Sequence, residues 1–173
     1  LDVTNRNSPK LMWQITGGTG DFTELGESWS KPTFGKVKWQ CSDSTGDNCT
    51  ERNVLFFTGG YDTNQDSVTL PTDDTVGRAI FMVDAETGTL LWSAGNGASH
   101  NKNLMAMKNS FPSDVTVADL NGNGYIDALF AVDIAGRMWR MDFNHSPQSV
   151  SDFYAGGGVI AELGSSNTSL TSE

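Results

Sequence analysis

Apolar residues in this chain occur in runs of four to seven, each closed by turn formers, and that spacing suits short strands and leaves no room for amphipathic helices. The clearest runs are Val54-Leu55-Phe56-Phe57, Ala79-Ile80-Phe81-Met82-Val83 and Ala128-Leu129-Phe130-Ala131-Val132. Continuous runs of this kind point to strands covered on both faces, whereas Val115-Thr116-Val117 alternates as a strand with one wet face does. The 19 glycines and a hydrophobic fraction of only 37% agree with an all-β chain rich in turns.

The strands repeat. Val83-Asp84-Ala85-Glu86-Thr87-Gly88-Thr89-Leu90-Leu91-Trp92 reads as strand, tight turn and returning strand, with Asp before the turn and Trp after it. Val132-Asp133-Ile134-Ala135-Gly136-Arg137-Met138-Trp139 is a second version, and Asp2 followed by Pro9-Lys10-Leu11-Met12-Trp13 repeats its ending. Larger units align too: residues 29–37, a loop and 53–60 match residues 111–117, a loop and 127–133. In that alignment the Cys41–Cys49 segment takes the place of residues 119–127. A β-sandwich also has short strands, but repeated units with an Asp-turn-Trp corner favour a β-propeller, with about 40–50 residues per blade. Residues 1–161 are therefore expected to form propeller blades, and the Ser/Thr-rich 162–173 a polar tail or strand edge. A closed ring of about six blades needs more than 173 residues, so an incomplete propeller, or a fragment of one, is expected.

Charge narrows the functions. Asp and Glu number 21 against 11 Lys and Arg, a net charge of −10, and no basic cluster offers a surface to nucleic acid. No apolar run approaches the roughly 20 residues of a transmembrane segment. Cys41 and Cys49 lie eight positions apart in a polar, loop-like segment. The favoured reading is a disulfide in an oxidising compartment, with two free thiols or half of a metal site as alternatives.

The strongest chemical signal is Asp119-Leu120-Asn121-Gly122-Asn123-Gly124-Tyr125-Ile126-Asp127. Side-chain oxygens fall at loop positions 1, 3, 5 and 9, the Tyr125 carbonyl at position 7 adds another, and Gly124 at position 6 permits a sharp turn. An EF-hand would need Glu at position 12, where Phe130 stands, and helices on both sides. This is a strand-flanked variant of nine residues. Asp119, Asn121, Asn123, Tyr125 and Asp127 are its candidate calcium ligands. With two carboxylates among them, calcium binding at about 10⁻⁴–10⁻³ M is expected, or tighter if the fold preorganises the loop. Without metal the same residues would form an Asn-Gly hairpin.

At these residues the chain resembles the C-terminal β-propeller of the PilY/PilC family, type IV pilus biogenesis factors and pilus-tip adhesins. The similar stretches are residues 25–32, 57–61, 81–88, 119–127 and 136–143, in the family's order. Family members typically have Asp where Asn123 stands. The resemblance implies a secreted protein of a Gram-negative bacterium, placed at the pilus tip, cell surface or outer membrane. It also implies minor pilins as partners, attachment to host or abiotic surfaces, and calcium-linked control of pilus extension, retraction and twitching motility.

No catalytic residue is assigned, and the chain is read as a non-enzyme. The alternatives are a quinone-dependent dehydrogenase-like propeller, whose corners look like the one ending at Trp92, and a purely structural extracellular scaffold. Trp92 is expected to pack between blades. His100 and His145 sit in loop-like segments with no paired Ser or Cys apparent, and Gly95 to Asn109 reads as a solvated connection or a contact surface.

Overall fold

The computed structural model describes residues 1–69 and 72–164 and shows an all-β protein of two sheets. In the first, β1 (Thr33–Trp39), β2 (Thr50–Thr58), β3 (Ala79–Asp84) and β4 (Leu90–Gly95) form an antiparallel meander, which the two-residue β5 (Lys102–Asn103) extends in parallel. The second is a meander of β6 (Thr116–Ala118), β7 (Ala128–Val132), β8 (Arg137–Phe143) and β9 (Tyr154–Glu162). Among the described residues there is no α-helix, and the sheets do not close into a ring or barrel. Glu162 ends β9, while residues 165–173 of the expected polar tail lie outside the described residues.

The three apolar runs lie in β2, β3 and β7, and β3 shows why its run is unbroken. Side chains alternate across a strand. Ile80 and Met82 join Val54, Phe56, Trp92 and Ala94 in a core shared with Leu129, Ala131, Trp139, Met141 and Phe143 of the second sheet. Ala79, Phe81 and Val83 point the other way, onto Phe57 and the N-terminal Trp13, Ile15, Phe22 and Leu25. Both faces of β3 are therefore covered. β7 departs from that expectation: Leu129 and Ala131 enter the shared core, but Phe130 on the opposite face is half-buried, with the Arg140 guanidinium 5.9 Å from its ring centroid.

At the centre, Trp92 is 0% exposed and meets Phe143 and Phe153 edge-on at 5.6 and 5.7 Å between centroids. Trp39 meets Phe153 at 5.4 Å, and Phe56 stacks on Phe143 at 5.5 Å. The corner Trp thus packs between the two sheets. The stretch Gly95 to Asn109 is more than a solvated connection, because Met107 lies in the core and Asn109 is buried.

The Asp-turn-Trp corners are closed by their carboxylates. Asp84 Oδ1 accepts from the amides of Glu86 and Thr87, both at 3.0 Å. At Asp133, Oδ1 accepts from the Arg137 amide at 3.0 Å, while Oδ2 accepts from Arg137 Nε at 2.8 Å and Trp139 Nε1 at 3.0 Å. The Arg137 head also donates to the Ala106 carbonyl and Asn109 Oδ1. The N-terminal version is less complete: Asp2 and Lys10 exchange two backbone bonds as a single bridge, and Trp13 donates to the Ala85 carbonyl at 3.1 Å.

Removing one member of a buried ion pair strands the other charge, at a cost of about 3–5 kcal/mol. Asp133→Ala is expected to lose stability in that range in urea unfolding, and Asp84→Ala, whose bonds lie at an exposed turn, clearly less. Equal losses would show that the Asp133 network contributes no more than an ordinary turn.

Candidate functional site

Each sheet opens with a hairpin whose loop carries one of the features singled out in the sequence. Residues 40–49 join β1 to β2 and residues 119–127 join β6 to β7. Cys41 and Cys49 are bonded, with S–S 1.97 Å, which excludes the free-thiol and metal-site alternatives.

The 119–127 loop folds around its own side chains. Asp119 Oδ1 accepts from the amides of Gly122 at 2.7 Å and Asn123 at 3.2 Å, and Oδ2 from Gly124 at 2.7 Å. These amides, Gly124 foremost, hold the Asp119 carboxyl below the usual range. Asn121 Oδ1 accepts from the Asn123 amide at 3.0 Å, and Asn123 Oδ1 from Tyr125 at 2.9 Å. Asp127 closes the loop through the Leu120 amide and the Asn121 amide and side chain. Gly122 and Gly124 adopt φ of +75° and +87°, a left-handed backbone that side-chain-bearing residues rarely take.

The five predicted residues are thus gathered in one loop whose side-chain donors are all oxygens. Carboxylate and amide oxygens have two lone pairs each, so Asp119 Oδ2, Asn121 Oδ1 and Asn123 Oδ1, with one backbone hydrogen bond apiece, have room for another partner. Asp119 Oδ1 and both Asp127 oxygens already have two partners and would exchange one of them for a cation. Among the described residues no donor takes the Tyr125 carbonyl. Hard oxygen donors of carboxylate, amide and carbonyl type fit calcium better than a transition metal. No cluster of three or more His, Cys, Asp and Glu side chains with metal-binding geometry occurs among the described residues, so the donor set rests on two carboxylates, two amides and a carbonyl.

The structure adds residues that sequence reading missed. His145 Nε2 pairs with Asp127 Oδ1, and the Tyr125 hydroxyl donates to Glu51 Oε1 on the first sheet. Lys36 Nζ lies 2.5 Å from Glu51 Oε2, and the Lys36 and Lys38 amines lie 5.3 and 5.2 Å from the Tyr125 ring centroid. These bonds push Glu51 down, chiefly through Lys36, and push Lys36 and Tyr125 up, chiefly through Glu51. The disulfide loop reaches the same end of the molecule: the Cys41 amide donates to the Pro147 carbonyl at 2.7 Å, and Lys38 Nζ to the Gly46 carbonyl at 2.5 Å. Residues 145–147 therefore touch both loops.

One further pair corrects the sequence reading. His100 Nδ1 lies 3.1 Å from Ser93 Oγ, so a Ser–His pair does exist. Ser93 is 1% exposed and His100 9%, and His100 Nε2 is buried with no partner among the described residues. The pair is closed off from solvent, as a packing element is. Burial pushes His100 below its usual value near 6.5. The unfolded chain then takes up a proton at a higher pH than the folded one, so this contribution to stability is full above pH 6.5 and declines below it, toward the folded value. The denaturation midpoint of the parent is expected to fall over that interval more than that of His100→Gln; parallel curves would remove His100 as the cause.

The chain is similar to proteins described as type IV pilus biogenesis factor PilY1 from Pseudomonas aeruginosa. It is 27% identical over 148 residues to the proteins of strains PAO1 and PAK, a match covering 82% of this chain and 10% of each relative. The strain UCBPP-PA14 protein is 27% identical over 143 residues, with the same coverage. The chain thus spans about a tenth of the length of these curated relatives. The crystal structure of the Pseudomonas aeruginosa PilY1 C-terminal domain is similar at a TM-score of 0.58 and 22% identity, over 88% of this chain and 28% of that one, which shows a shared fold. No family model matches the chain. The family resemblance read from the sequence is the one that these relatives bear out.

Proposed function

We propose that the chain is a calcium-binding, non-enzymatic segment of a type IV pilus biogenesis factor. The observation that carries the pilus reading is the similarity to PilY1 along 82% of the chain. The calcium reading is supported by the oxygen-lined loop 119–127. Each four-stranded antiparallel meander has the make-up of a propeller blade, and in this reading the two sheets are neighbouring blades of a larger propeller.

The reading extends to a secreted protein at the pilus tip or outer membrane. There it meets minor pilins and a host or abiotic surface, and acts in pilus extension and retraction, adhesion and twitching motility. Bound calcium would neutralise the two loop carboxylates and give the loop a fixed shell. The chain supplies the rest. Asp119 and the two Asn side chains hold the turn, Asp127 joins its two ends, and residues 145–147 tie it to the disulfide loop. The end of the molecule carrying both loops would then present a stable contact surface. A non-enzymatic role is supported by Trp92 and the Ser93–His100 pair, both taken up in packing.

Calorimetry on the chain is expected to show calcium binding, with loss of binding in Asp127→Ala. Calcium at a hundred times its dissociation constant should stabilise the parent by about 2.7 kcal/mol and the variant not at all. In the bacterium, Asp127→Ala in the full-length protein is expected to change surface piliation and twitching at unchanged protein level. No binding heat would refute the calcium reading; unchanged piliation would separate the loop from pilus control.

A further inference from the structure

Position 7 of the candidate loop contributes a backbone carbonyl, whose direction is set by the backbone torsions of Tyr125 and its neighbours. Both Tyr125 and Ile126 are anchored to the first sheet, although the loop belongs to the second. The Tyr125 hydroxyl donates to Glu51, and its ring lies beside the Lys36 and Lys38 amines. The Ile126 amide donates to the Lys36 carbonyl at 2.9 Å, and its side chain lies against Gly35, where a Cβ would come within 2.7 Å of it. Gly35 and Lys36 are consecutive in β1, so the two side chains grip opposite faces of one strand.

From this clasp we infer that Glu51 is a positioning residue for the cation loop, acting across the sheet interface by holding Tyr125. The inference rests on the calcium reading above. Fixing the carbonyl in advance removes part of the ordering cost of binding. Glu51 has a second effect through charge, because it offsets Lys36 and Lys38, two ammonium groups that would otherwise oppose a cation nearby. The Lys36–Glu51 pair is too exposed to contribute much to overall stability, so its influence should be read in binding rather than in folding.

Calcium calorimetry on the parent, Tyr125→Phe and Glu51→Gln tests this, paired with thermal unfolding with and without calcium. Tyr125→Phe removes one hydroxyl and leaves the charges alone. It is expected to weaken binding about threefold to tenfold, the range of one net hydrogen bond, and Glu51→Gln at least as much. Calcium-free midpoints should stay near that of the parent, while the calcium-induced rise shrinks in both variants. If Tyr125→Phe binds like the parent, the positioning role is overturned even when Glu51→Gln is weaker, since lost charge alone then accounts for it. Calcium-free midpoints that fall as far as the calcium-bound ones would also overturn it, by making the clasp a general stabiliser. A parent that binds no calcium refutes the underlying reading instead.

Discussion

The structure depends on one burial event, the removal from water of the aromatic and sulfur-bearing side chains that face each other between the two sheets. Trp39, Phe56 and Trp92 come from the first, Phe143 and Phe153 from the second and its connection, with Met82, Met107 and Met141 filling around them. Neither meander could keep its inner face dry alone. Three or more strands need a hydrophobic face covered to be stable in water, and here each sheet is the other's cover. The loops at the shared end inherit their positions from that docking.

The second dry layer is smaller and comes from the N-terminal segment. Trp13, Ile15, Phe22 and Leu25 cover Phe57, Phe81 and Val83 with almost no regular structure of their own. This asymmetry explains the contrast between the sheets. β3 is buried from Ala79 to Val83, whereas the outward face of β8 carries Met138, Arg140 and Asp142, all half-buried, with Arg140 and Asp142 paired at 2.7 Å.

The strands were legible because their signals are local: an apolar run ends at Asp84-Ala85-Glu86-Thr87-Gly88 or at Asp133-Ile134-Ala135-Gly136, and the turn residues mark where it reverses. The 119–127 loop was legible for the same reason, since its geometry is written in side chains at alternate positions that bond their own backbone. What escaped sequence reading is contact between distant positions. Nothing near Glu51 announces Tyr125, 74 positions on, and nothing near Asp127 announces His145. The Ser93–His100 pair is closer in sequence but depends on β5 bringing the chain back beside β4, and two residues of strand are too few to show a period. At Phe130 the apolar run of β7 does not reveal whether its second face meets another layer or only an arginine.

The two meanders are built from consecutive strands, so most of their pairing is between near neighbours in the chain. Contacts of that kind form early, while contacts between the meanders must wait for a longer loop to close. Tyr125 and Ile126 are held by β1 and β2, on the far side of that late step. The 119–127 loop can therefore be complete in sequence and still lack its final shape until the halves have met. Any ligand that prefers the finished loop would, by mass action, favour the docked arrangement of the whole molecule over its separated parts.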